Sequence, residues 1–200
     1  PNGAGKTTLL KLLLGELDAT QGTARIGNKV DYARFAQHLT DVLDLGRSVL
    51  QEFTASIGEP GDRNLRTVLG GFGFRGDHVD QKVGDLSGGE QTRLALAITM
   101  ANPVNLLILD EPTAGLDINA SFDYLDRIRT LVADGRNIVL VTHLLNEIPP
   151  DIDRVILLRQ GTIVADGHKD DVLTSEHLSQ AYEINVRVTR VGGYFLAYPP

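Results

Sequence analysis

Apolar residues along this chain fall into blocks with two different periods. From Ala4 to Leu14, Leu9, Leu10, Leu12, Leu13 and Leu14 give a wide apolar face at helical spacing, which predicts a helix closed by Gly15 and the Asp18–Gly22 stretch. Thr23–Ile26 and Val30–Phe35 read as short strands around a Gly27-Asn28 turn. Residues 38–85 change character, with eight glycines among two helix-like pieces near Val49–Ile57 and Asn64–Leu69. A helix is expected from Ser87 to about Ala101, stopped by Asn102-Pro103. Leu106–Leu109, and Asn137–Val141 with its one polar residue at the start, predict buried strands on either side of an Ile118–Ala133 helix that ends at Asp134-Gly135. Arg154–Leu158 and Thr162–Ala165 flank Gln160-Gly161 as a hairpin. Short helices near Asp170–Leu173 and Ser175–Tyr182 precede a last hairpin, Ile184–Arg190 with Tyr194–Ala197. Buried strands alternating with helices imply an α/β fold whose sheet is mostly parallel.

Composition narrows what such a fold can do. Two hundred residues make one domain, or one with a small inserted lobe. The absence of cysteine excludes disulfides, thiolate zinc sites and cysteine nucleophiles. A net charge of −7 is a poor start for a non-specific nucleic-acid binder, so no DNA partner is expected. The longest aliphatic runs are four residues, far short of the roughly 20 a membrane helix needs. The only methionine is Met100 and the chain opens Pro1-Asn2-Gly3. The expectation is a domain whose first strands lie outside this sequence.

Pro1-Asn2-Gly3-Ala4-Gly5-Lys6-Thr7-Thr8 matches the inner part of the G-x-x-x-x-G-K-[ST] phosphate loop. Glycines let backbone N–H groups approach a phosphate without a side-chain clash, and the helix that follows points its positive end at the same anion. Lys6 suits the β- and γ-phosphates, Thr7 a Mg²⁺ ion, and Thr8 a further phosphate hydrogen bond. The bland reading, a flexible glycine-rich start before an amphipathic helix, explains the glycines but not the Gly-Lys-Thr order.

Two more signals lie downstream. Leu106–Leu109 ends in Asp110-Glu111, and the C-terminal ends of parallel strands are where α/β sheets bind ligands. Asp110 there suits Mg²⁺, and Glu111 suits orienting and deprotonating water. Taken alone, the pair reads equally well as a strand followed by a helix-capping acid. Leu86-Ser87-Gly88-Gly89-Glu90-Gln91 contains a capping box, Ser87 with Glu90 three residues on, and two glycines that make a second anion cradle. These two helix starts are 81 residues apart, from Lys6 to Ser87. One chain has little use for both at a single γ-phosphate, whereas two chains arranged head to tail do.

With these motifs in order, the chain resembles the ATP-binding cassette (ABC) nucleotide-binding domains. Gln37, Ala114-Gly115-Leu116-Asp117 and Thr142-His143 extend the match as the Q-loop, D-loop and switch histidine. The spacing agrees: 49 residues from Gln37 to Leu86, 23 from Ser87 to Asp110, and 33 from Asp110 to His143. The resemblance implies a P-loop NTPase of ABC type over residues 1–200, with a helical subdomain inserted at about 38–101. It implies ATP and Mg²⁺ as cofactors, with Asn2, Gly3, Ala4, Gly5, Lys6, Thr7 and Thr8 on the nucleotide. Ser87, Gly88 and Gly89 would face the nucleotide of a second such domain, in a homodimer or a heterodimer. Glu111, His143 and Gln37 would be catalytic, and Thr7, Gln37 and Asp110 would hold the metal. The family's adenine-stacking aromatic would precede Pro1, so ATP as the nucleotide rests on the resemblance alone.

The subfamily signals are mixed. Residues 1–113 resemble ABC-F cassettes, soluble ATPases of which many act on ribosomes, through Phe35-Ala36-Gln37-His38 and the run Leu86–Ala97. Residues 114–200 resemble transporter ATP-binding subunits, through Ala114-Gly115, Val141–Ile148 and Arg154–Gly161. A transporter subunit would sit in the cytoplasm on the inner face of the cell membrane, its lobe gripping a separate permease. The alternative is a translation factor with a ribosome partner; the acidic balance and the lack of a basic tract weigh against it. His38, His78, His168 and His177 show no metal-ligand spacing and are assigned to solvent, as Arg93 and Arg127 are to helix surfaces.

Overall fold

Tyr32–Phe35 (β1) pairs in parallel with Leu106–Asp110 (β2), Tyr32 opposite Leu106 and Phe35 opposite Leu109, in a computed structural model that describes residues 3–35, 42–57 and 62–200. Asn137–Val141 (β3) completes a three-stranded sheet in the order β1-β2-β3. Leu107, Ile108 and Leu109 are buried, as a central strand covered on both faces requires. β3 was expected to be buried but alternates between exposed and half-buried, with Val139 38% exposed, because it is an edge strand in this order. The strand expected at Thr23–Ile26 does not form: those residues lie almost wholly in solvent with no strand to pair with, and only Tyr32–Phe35 of the next run finds a partner.

The chain divides into two compact units, residues 31–140 and residues 1–30 with 141–200. In the first unit, helices Val49–Ser56 (α2), Leu65–Gly70 (α3) and Gly88–Ala101 (α4) pack on one another. Val49, Phe53, Leu69, Phe74, Val83, Leu94 and Ala97 are all fully buried there. Each fully buried Val, Leu or Phe side chain among them stabilises by roughly 1.5–3 kcal/mol. α4 is buried on nearly every face along its second half, from Leu94 to Ala101, so its N-terminal turn stands on a stiff support. Ile118–Ala133 (α5) has the bounds expected from its period, begins at Asp117 and buries Ala120, Tyr124, Leu125 and Ile128.

The second unit holds helix Lys6–Leu13 (α1) and the antiparallel hairpin Arg154–Arg159 (β4) with Thr162–His168 (β5). The hairpin turns on Gln160-Gly161, both with positive φ, and Arg154 bridges Asp166 through two bonds of 2.9 and 2.8 Å. Lys169–Val172 (α6), Ser175–Tyr182 (α7) and a last hairpin, Arg187–Val191 (β6) with Tyr194–Tyr198 (β7), finish the chain. Among the described residues, no helix is long and apolar enough to cross a membrane.

Candidate functional site

The glycine-rich loop opens α1 without a side-chain cap. Gly3 and Gly5 both take the left-handed backbone, at φ 75 and φ 96, which side-chain-bearing residues rarely adopt. The Gly161 N–H donates to the Ala4 carbonyl at 2.9 Å, and a Cβ on Gly5 would sit 3.1 Å from the Gly161 Cα. Gly5 is therefore required twice, by its φ and by the close passage of the β4–β5 turn. The first N–H groups of a helix have no intrahelical acceptor, and no acid sits in the first turn of α1 to occupy them. Thr7 and Thr8 are exposed and Lys6 is half-buried. This is a helix terminus suited to an anion. Asn2 and Gln37 lie outside the described residues.

Ser87-Gly88-Gly89 opens α4 in the same manner but with a built cap. The Glu90 N–H donates to Ser87 Oγ at 3.3 Å, while the Ser87 N–H and hydroxyl donate to Glu90 Oε2 at 2.8 and 2.7 Å. The Ser87 hydroxyl bond leads several influences that hold the Glu90 carboxyl below its ordinary range; partial burial opposes them, and the nearby His78 and Arg93 assist. Nothing stands within 4 Å of a Cβ built on Gly88, so the turn is open on that side. Gly89 lies beside the D-loop segment, where an added Cβ would be 3.6 Å from the Gly115 carbonyl oxygen.

The two acids end β2. The β1–β2 register sets Arg34 opposite Ile108, so Asp110, two residues on, shares its face of the sheet. Arg34 Nη2 lies 3.5 Å from Asp110 Oδ2, and both side chains are more than 80% buried. Glu111 leaves the strand with φ 49, a left-handed backbone at a non-glycine residue, and its carbonyl accepts from the Ala114 N–H at 3.1 Å. Asp117 caps α5 through the Ala120 N–H at 2.9 Å.

His143 is exposed, in the loop after β3, and its carbonyl accepts from the Tyr182 hydroxyl at 3.0 Å. The loop, His143 and Tyr182 belong to one compact unit; Ser87–Gly89, Asp110 and Glu111 belong to the other. Each unit by itself holds an oxygen of the kind Mg²⁺ takes alongside phosphates and water: the largely buried Asp110 carboxylate in one and the exposed Thr7 hydroxyl in the other. No cluster of three or more metal-binding side chains occurs among the described residues.

Several contacting residues escaped the sequence reading. Arg34 had a signal in retrospect, a cation in register with a strand-end acid. His78, assigned to solvent, instead places Nε2 3.3 Å from Glu90 Oε1 and packs on Phe74. Arg93 lies over the Phe74 ring and Arg127 over Phe72, half-buried rather than on helix surfaces. Tyr182 had no local signal, because its partner is 39 residues away. His168 caps α6 through the Asp170 N–H, and His177 bonds the Val172 carbonyl; neither is left to solvent alone.

The family model described as "ABC transporter" matches residues 1–114. "Probable ATP-binding protein YheS" of Haemophilus influenzae is 46% identical over 118 residues, 59% of this chain and 18% of that protein. "Nod factor export ATP-binding protein I" of Burkholderia orbicola is 35% identical over 189 residues, 88% of this chain and 62% of that protein. The chain thus spans less than two thirds of either relative. A solved ATP-binding cassette, described as a dimer in a post-hydrolysis state bound to ADP and phosphate, shares the fold at TM-score 0.66 and 22% identity, covering 84% of this chain and 82% of that one. On its motifs, its parallel β1–β2 pair and the family match, the chain is a P-loop cassette and belongs to the ABC transporter family.

Proposed function

We propose that this chain binds and hydrolyses ATP as the motor cassette of a transporter. In this reading it works as a head-to-tail dimer, with itself or with a second cassette, on the inner face of the cell membrane. Its helical segment, about residues 38–101, carries the motion to a separate permease. The observation behind the reading is the pair of glycine-opened helix starts in one chain, at Gly5–Lys6 and Ser87–Gly88. One suits the chain's own nucleotide and the other suits the γ-phosphate held by a partner.

The N–H groups from Gly3 to Thr8 and the Lys6 ammonium hold the β- and γ-phosphates. Asp110, Thr7 and Gln37 supply oxygens to Mg²⁺, which when bound neutralises charge on those phosphates. Glu111 orients a water molecule in line with the γ-phosphorus and accepts its proton as the new P–O bond forms. The bond from phosphorus to the β,γ-bridging oxygen breaks, and ADP takes the leaving electron pair. His143 and Gln37 contact the γ-phosphate, and Ser87, Gly88 and Gly89 of the partner cover it. The work is positioning and electrostatic stabilisation.

Glu111→Gln keeps the size and removes the base. Turnover is expected to fall at least about 100-fold while ATP binding persists and a dimer accumulates on size exclusion with ATP. Wild-type turnover in that variant would overturn the assignment of Glu111. A second reading, a soluble ABC-F ATPase acting on the ribosome, draws on the higher identity to YheS than to the Nod factor export protein. Fractionation separates the two: a transporter cassette sediments with membranes, and an ABC-F cassette with ribosomes.

A further inference from the structure

The C-terminal segment received no role from the sequence, yet it is tied to the loop that carries His143. Thr142, His143 and Leu144 form a tight turn in which the Leu144 N–H donates to Thr142 Oγ1 at 2.9 Å. The Thr142 hydroxyl in turn donates to the carboxylate of Glu147, a buried acid. From outside this turn, the Tyr182 hydroxyl at the end of α7 donates to the His143 carbonyl at 3.0 Å. Half-burial pushes the Tyr182 phenol pKa up, so the hydroxyl keeps its proton and remains a donor throughout the physiological range.

The segment that places Tyr182 is itself held at several points. The Val186 N–H donates to Ser179 Oγ at 3.1 Å, and the Val188 N–H to Ser175 Oγ at 3.0 Å, which join the last hairpin to α7. Arg159 reaches back from β4 to the Gln180 carbonyl at 3.1 Å and to the Glu183 carboxylate. Strand β7 packs on the 3-10 turn Leu145–Glu147, immediately after His143. A Cβ on Gly193, in the hairpin turn, would come within 2.9 Å of Pro150 Cγ, so the turn sits directly against the end of the same loop.

We propose that Tyr182 is a positioning residue for His143, and that α7 with the β6–β7 hairpin is the clamp that fixes the switch loop for γ-phosphate contact. Tyr182 touches neither nucleotide nor water in this proposal; it acts through the His143 backbone. The idea rests on the reading of His143 as a γ-phosphate contact, and the experiment keeps the two separable.

The test compares Tyr182→Phe, His143→Ala, the double variant and Ser179→Ala, made in the full-length protein. Steady-state ATPase activity, ATP affinity and melting temperature are measured for each. Tyr182→Phe removes one hydroxyl, and kcat is expected to fall about three- to tenfold, the worth of one hydrogen bond, with KM for ATP unchanged. In the double variant the Tyr182→Phe loss should vanish, because its only route is through His143. Ser179→Ala loosens the same tail away from the switch loop, so it should lower the melting temperature and leave kcat alone. Wild-type kcat in Tyr182→Phe, or additive losses in the double variant, would overturn the positioning role while leaving His143 in place. A drop in kcat for Ser179→Ala matching that of Tyr182→Phe would reduce the effect to general destabilisation and overturn it as well. Wild-type turnover in His143→Ala would overturn the reading of His143 and this proposal with it.

Discussion

Glu111 is where local conformation and proposed chemistry meet. A non-glycine residue held at φ 49 costs of order 1–3 kcal/mol, and such strain persists only where the surroundings over-determine it. Glu111→Gly is therefore expected to lose turnover as Glu111→Gln does, yet melt no lower than wild type, since glycine relieves the backbone. Paired thermal denaturation and ATPase assays check this, and a melting temperature several degrees below wild type for the glycine variant would mean the strain is not there. Gly5 is the converse case, with no strain because there is no side chain. The Gly-Lys-Thr order announced it, but its second reason, the passage of Gly161 at 3.1 Å from a would-be Cβ, is a contact across 156 residues of sequence. Arg34 belongs with it: its identity was plain in the sequence, and its proximity to Asp110 follows only from the parallel register.

Among the elements, α4 shows most directly how a motif and a cap share residues. The box of Ser87 and Glu90 was readable from spacing, and both of its bonds form. Its extension was not readable, because His78 reaches Glu90 from a 3-10 turn, Gly76–Asp80, whose placement depends on Phe74 and Val79 being buried. The lowered pKa of Glu90 has a defined consequence. A carboxylate more acidic in the folded chain than in the unfolded one stabilises the fold above the unfolded pKa, and that contribution is lost as pH falls through the folded value. Glu90→Gln is expected to flatten the fall in melting temperature between about pH 5 and pH 3, compared with wild type. Identical pH profiles for the two proteins would show that the cap does not depend on the charge. Because Glu90 is only partly buried, the effect should be small and weaken at high salt. Strand length was less legible than helix caps. β5 runs on to His168 because Arg154 and Val155 pair with His168 and Gly167, and partners of this kind carry no local signature.

For the molecule as a whole, the proposed role makes stability depend on nucleotide. A ligand at about 100 times its Kd stabilises the state that binds it by about 2.7 kcal/mol. For a chain of 200 residues that corresponds to a rise in melting temperature of roughly 5–10 °C with Mg-ATP. Lys6→Ala should abolish the rise with little change in the nucleotide-free melting temperature, as read by calorimetry; an equal rise in that variant would remove Lys6 from the phosphate site. Sequence alone sufficed for the class of fold, the phosphate loop, the capping box and most helices, because each depends on residues within a few turns of one another, where period and spacing are physical constraints. Tertiary structure was needed for everything that depends on which segments become neighbours: β3 at a sheet edge with half its face in water, residues 23–26 left without a strand, Arg34 on Asp110, His78 on Glu90 and Tyr182 on His143. Those contacts join residues from 12 to 76 positions apart, and strand order and packing, rather than local preference, bring them within reach.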